Sequence, residues 1–195
     1  MNIKLFNFGS ILLTVGIAGQ GCSMAPQTVR LAPQVQVSQT DVGKGKVIGL
    51  DVSDARGDKK AGIIGDEKIK FVTISAEDKS PSSVYREAAD ALTKLGFKVQ
   101  PASSSTQRVL RIELAQLEYQ SLKRPFTFDT EAKVALAAIA ENGTNRYERT
   151  FETEEASTSG SPPSQSEIAR TINSQVSHAL GDVLADRQLI ALLAK

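Results

Sequence analysis

Tryptophan is absent from this 195-residue chain, cysteine and histidine occur once each, methionine twice, and aromatic residues make up only 5%. A lone cysteine cannot close an internal disulfide. One Cys with one His also falls short of the roughly three or four such ligands that a Cys/His zinc site needs. An excess of either charge is missing as well, with 23 Lys plus Arg against 22 Asp plus Glu. That balance argues against a nucleic-acid binder, which draws its affinity from neutralising phosphates over a broad basic surface.

What is present first is a leader. Residues 1–21 hold no acidic residue and one basic one, Lys4, ahead of the apolar stretch Ile11, Leu12, Leu13, Val15, Ile17 and Ala18. A charged start, an apolar centre of about 7 to 15 residues and small residues at the cut describe a secretory signal. The stretch is too short to cross a bilayer as helix, which takes about 20 apolar residues. Cleavage is expected between Gly21 and Cys22, so the sole cysteine stands at the new N-terminus. This placement resembles the lipobox of bacterial lipoproteins, in which the cysteine thiol receives diacylglycerol and the freed amine a third chain. Gly19 departs from that motif, which carries an aliphatic residue three places before the cysteine, and Gln20 is bulky and polar. The alternative is an ordinary secretory leader followed by an exposed free thiol. One myristoyl-length chain binds a bilayer reversibly and each buried methylene contributes about 0.8 kcal/mol, so three chains make a nearly permanent anchor. Ser23 stands where an Asp goes with retention in the inner membrane, so the resemblance implies the outer membrane, periplasmic face. Loss of residues 1–21 leaves 22 basic and 22 acidic residues and no evident polybasic patch for anionic headgroups.

Residues 22–33 are expected as a lipidated N-terminus and short polar, proline-containing tether, and residues 34–195 as a single periplasmic domain large enough to fold without staples. Alternation marks strands at Val35 and Val37, at Ile48, Leu50 and Val52, and at Ile69, Phe71, Val72 and Ile74. A short strand follows at Phe97 to Val99. Leu110, Ile112 and Leu114 then share a face that shifts to Leu117 and Tyr119, which implies a bulge near Ala115. Phe126, Phe128, Val134, Leu136, Ala138 and Ala140 share a parity before Asn142-Gly143, and Tyr147 and Phe151 continue beyond it. Asn-Gly between alternating runs favours a type I′ hairpin. Its other face, with Asp129, Glu131, Lys133, Arg146, Glu148 and Glu152, is expected to be wet. One helix is punctuated by Ser80, Pro81 and Gly96, with Val84, Ala88, Leu92 and Leu95 inward. A second follows the loop 157–163. It opens with Ser164 and Glu167 at capping-box spacing and buries Ile168, Ile172, Val176, Leu180, Val183 and Leu184. The expected fold is α+β: a mainly antiparallel sheet of about seven strands with two helices on one face.

Five segments carry a family resemblance: the run Gly49-Leu50-Asp51-Val52-Ser53-Asp54-Ala55-Arg56, the helix exit Leu95-Gly96-Phe97, the strand Leu110-Arg111-Ile112-Glu113-Leu114, the strand end Ala137-Ala138-Ile139-Ala140 before Asn142-Gly143, and Ile172-Asn173 in the closing helix. Together they resemble the YajG-type lipoproteins of Gram-negative bacteria over nearly all of residues 22–195. The resemblance implies an envelope lipoprotein with no catalytic motif and no assigned activity.

Chemistry-bearing residues are few. His178, the sole ready proton carrier near neutral pH, lies about 200° around its helix from the apolar stripe and is expected in solvent. Asp51 with Asp54, and Glu152 with Glu154 and Glu155, are the close acidic groups; a glycan hydrolase would need two such acids held apart in a cleft. Asp51, Asp54 and Arg56, at the end of a buried strand, form a candidate binding edge. Arg56-Gly57-Asp58 matches an adhesion tripeptide by chance, Gly62 and Gly65 lack the spacing of a phosphate loop, and Asn142-Gly143-Thr144 is explained by its hairpin. The apolar tail Leu189, Ile190, Leu192 and Leu193 is expected to dock on its own domain. The expectation is thus a non-catalytic binding or accessory lipoprotein with no cofactor or metal. Its partners would be the membrane, through the acyl chains of Cys22, and an envelope complex or cell-wall material. A cell-wall hydrolase using paired carboxylates is the alternative.

Overall fold

The computed structural model describes residues 26–58, 60–65, 70–77 and 80–195. Its elements are β1 (Gln27–Val29), β2 (Val47–Asp54), β3 (Lys60–Gly65), β4 (Lys70–Ala76), α1 (Ser80–Lys94), β5 (Lys98–Pro101), β6 (Arg108–Lys123), β7 (Phe128–Asn142), β8 (Asn145–Ser159), α2 (Gln165–Ala185) and α3 (Arg187–Ala194).

The 16-residue β6 is the spine of the sheet. Along one edge it pairs antiparallel with β7, which pairs with β8. Along the other, its first half pairs with β2 and its second half with β3, both parallel. β2 and β3 therefore act as one long strand interrupted after Asp54. The interruption falls opposite the slip in β6 register between Leu114 and Gln116, the bulge expected near Ala115. Beyond β3 lie β4 and β1, and beyond β2 lies β5.

The sheet is mixed rather than mainly antiparallel. β1 with β4, β2 with β5, β2 with β6 and β3 with β6 are parallel, whereas β3 with β4, β6 with β7 and β7 with β8 are antiparallel. The cause is a crossing. β5 and β6 flank β2 and both run with it, so the chain passes over β2 between them. It passes at Gly49, where a Cβ would stand 2.9 Å from the Ala102 Cα and 2.9 Å from the Thr106 Cγ2. Alternation reports which residues share a face and carries no information about strand direction.

Other expectations need correction. Val35 and Val37 lie outside any strand, although burial alternates from Val29 to Val35 as it would in one. The segment is extended chain laid on helices. Its amides at Ala32, Gln34 and Val35 donate to Asn173 Oδ1 (2.6 Å), Ser177 Oγ (2.9 Å) and Glu87 Oε1 (2.6 Å), so side chains replace a β-ladder. β1 and the buried Leu31 bring part of the expected tether into the packed structure. The strand β3 occupies the stretch of Gly62 and Gly65, to which alternation assigns no strand. At the Asn142 hairpin the two turn residues are Gly143 and Thr144, and of these only Gly143 has positive φ (+62°). This is the pattern of a type II′ turn, in place of the expected I′. Phe126, assigned by parity to the buried face, sits in the β6–β7 turn and is 91% exposed.

α1 and α2 follow their signals, and a third helix, α3, lies where only an apolar tail is expected. Gly96 ends α1 with φ +89°, and α2 opens on a complete capping box: the Ser164 hydroxyl accepts from the Glu167 N–H, and the Glu167 carboxylate accepts from the Ser164 N–H at 2.7 Å. α3 buries Leu189, Ile190 and Leu193, so the apolar tail docks on its own domain. Val84, Ala88 and Leu92 of α1, the stripe of α2 and the α3 leucines form one core with Ile48, Leu50, Leu110, Ile112, Leu136 and Ala138 of the sheet. The helices thus share a single sheet face. The other carries the charged parity of β6, β7 and β8, including Lys133 paired to Glu131 (2.8 Å) and Arg146 to Glu148 (2.8 Å).

Candidate functional site

The expected site residues do not converge. Gly21 and Cys22 lie outside the described residues. Asp51 is exposed on the open sheet face, in register with Arg111, whose guanidinium pairs with Glu141 at 2.8 Å. Asp54 has the opposite strand parity and closes on Arg56 through two contacts, Nε to Oδ1 at 2.8 Å and Nη2 to Oδ2 at 2.7 Å. The proposed edge of Asp51, Asp54 and Arg56 is therefore split between the two faces. Arg56 is 6% exposed and lies where the interruption of the β2–β3 line meets the β6 bulge. It borders a hollow of about 400 Å³ with Asp58, Gly62, Gln116 and Tyr119.

Asp51 and Glu152 stand on strands separated by β6 and β7. Three strand spacings amount to about 14 Å, beyond the roughly 5 to 9.5 Å between the two acids of a glycosidase. Glu154 and Glu155 do line a larger groove of about 1160 Å³ along α2, together with Gln34, Arg170, His178 and Asp182. These acids are exposed at its surface and engaged. Glu154 pairs with Lys133 at 3.7 Å, and Glu155 accepts from Gln175 Nε2 at 2.7 Å. His178 is exposed, as expected.

The best-built polar cluster lies elsewhere, among residues that sequence reasoning passes over. Asp186 caps α3 by accepting from the Gln188 and Leu189 N–H groups, both at 2.9 Å. Its second oxygen accepts from Arg149 Nη1 at 2.9 Å and from the Tyr147 hydroxyl at 3.3 Å. Burial pushes this carboxyl up, but the hydrogen bonds from Leu189, Arg149, Gln188 and Tyr147 outweigh it and hold the pKa below its ordinary 3.8. The cluster ties β8 to the α2–α3 junction. Its only sequence signal is a capping Asp before Arg187, since nothing along the chain links it to Tyr147 and Arg149. Among the described residues no group of His, Cys, Asp and Glu could hold a metal ion, and no helix is long and apolar enough to cross a membrane.

A family model described as an uncharacterised lipoprotein matches residues 33–194, nearly all of this fold. The chain belongs to that lipoprotein family, the YajG type. The crystal structure of a Xanthomonas campestris protein of family DUF330 shares the fold at TM-score 0.52, with 15% identity over 86% of this chain and 94% of that one. A neuraminyllactose-binding hemagglutinin homologue from Helicobacter pylori aligns at TM-score 0.47 and 8% identity, covering 82% of this chain and 92% of that one, too distant to carry an argument. No curated protein matches the sequence.

Proposed function

We propose that this lipoprotein is anchored through acyl chains on Cys22 to the outer membrane, facing the periplasm, and acts there as a non-catalytic binding or accessory module. The observation that carries the proposal is the family match over residues 33–194 behind a leader whose single cysteine stands at the cut. The binding role draws support from the long groove beside α2, whose lining of Gln34, Gln36, Ser174 and His178 mixes hydrogen-bond donors with acceptors. Such a surface suits a polar partner, either cell-wall material or an envelope protein. The wide separation of Asp51 from Glu152, and the solvent exposure of Glu154 and Glu155, support a role without catalysis. Crosslinking in native membranes followed by identification of the captured partner tests the binding role. Repeated failure to capture any envelope protein or glycan would count against it. Replacing Cys22 with Ser and fractionating the cells tests the anchor.

A further inference from the structure

We propose that the β6–β7 turn is a second, peripheral membrane contact that inserts Phe126 into the bilayer interface and sets how the domain sits on its membrane. The proposal rests on the Cys22 anchor. Phe126 is 91% exposed, the only aromatic ring so exposed among the described residues, and it occupies a turn of defined shape. The Arg124 N–H donates to the Thr127 carbonyl at 2.7 Å, leaving Pro125 and Phe126 as the two apex residues. Pro125 fixes its own φ and stiffens that apex.

Sheet register says which end of the domain meets the membrane. Gln27 aligns with Ile74, Ile74 with Gly62 and Gly62 with Tyr119. β1 is parallel to β4, which is antiparallel to β3, and β3 runs with β6. β1 therefore runs against β6, and the chain preceding Gln27 departs toward the Lys123 end of β6, where the Phe126 turn lies. Cys22 is five residues before Gln27, so the anchor lies within about 18 Å of β1 at full extension. From the level of Tyr119 to the turn is about six residues of strand, or roughly 20 Å, and three strand spacings of about 14 Å separate β1 from β6 laterally. Four residues separate Cys22 from Gln27, enough chain for the acyl chains to reach the height of the aromatic tip at the same end of the sheet. A ring at a fixed apex beside an anchored bilayer gains by entering the interface, where aromatic side chains concentrate. Lys123 beside the turn is exposed, while Arg124 is paired with Asp129 at 3.0 Å, so charge is the lesser contribution.

Because the chain has no tryptophan, Phe126→Trp supplies a unique reporter. The lipidated full-length mature protein would be reconstituted into phosphatidylcholine–phosphatidylglycerol vesicles with and without brominated acyl chains, and its N-terminal mass measured. The expected result is blue-shifted emission quenched by roughly half in brominated vesicles. Val47→Trp is the control. Val47 is 44% exposed at the start of β2, the opposite end of the sheet, and its replacement should be unaffected. Unquenched emission of solvent-exposed character on an acylated protein would overturn the tip contact and leave the anchor standing. A blue shift without quenching, which marks a protein contact, would overturn it equally. A mass lacking acyl chains would overturn anchor and tip together.

Discussion

Asp186 shows how one side chain couples pH to the fold. Its pKa is depressed in the folded state, so the stability it contributes is present above the ordinary carboxylate value of 3.8 and is lost as pH falls through the lower folded value. Asp186→Asn should therefore flatten the loss of stability as pH falls below about 4, measured as urea midpoints at a series of acid pH values. Asp186→Ala at pH 7 should cost about 1 to 2 kcal/mol, chiefly the lost cap, because Arg149 is 58% exposed and regains water. Gly49 poses the reverse case, a position where an added atom is harmful. Its Cβ would meet backbone at Ala102, which cannot swing aside like a side-chain end, so Gly49→Ala should cost about 1 to 3 kcal/mol and lower Tm by several degrees. In the sequence this glycine is indistinguishable from Gly57, where an added Cβ would have nothing within 4 Å.

The long β7–β8 hairpin was the most legible element, and its edge yields a sharp test. β8 pairs only with β7, so its outer edge is free among the described residues. Asn142 and Asn145 close the turn as a hydrogen-bonded pair, which places the amides of Tyr147, Phe151 and Thr153 in the ladder and those of Glu148, Thr150, Glu152 and Glu154 toward the free edge. Hydrogen exchange should alternate along the strand, slow at the first set and fast at the second. Uniform protection would mean that something covers the edge. Charged side chains on this strand guard it against pairing with another chain. α1 and α2 were equally readable because helix punctuation and the 3.6-residue period are local. The segment carrying Val35 misled because an extended chain on a helix bundle shows the same alternation as a strand. Its hydrogen-bond partners, Asn173, Ser177 and Glu87, lie far away in sequence.

For the molecule as a whole, the anchor dominates its expected behaviour. With equal basic and acidic counts after residue 21, no net charge draws the domain to anionic lipid, so the proposed acyl chains would carry its attachment. Cys22→Ser should shift the protein from the membrane to the soluble fraction, since a single aromatic tip is too weak to retain it; membrane retention of the variant would refute lipid anchoring at Cys22. By itself the sequence determined the α+β class, the two main helices, the β6 bulge and the polar face of the hairpin. Each rests on residues a few positions apart, where periodicity, capping and turn chemistry act. Only the tertiary structure decided the parallel pairings, the crossing over Gly49, the parting of Asp51 from Asp54 and Arg56, and the placing of Phe126 at the end where the N-terminal chain departs. Those depend on which distant segments become neighbours, and that is settled by burying one shared core, which no local pattern encodes.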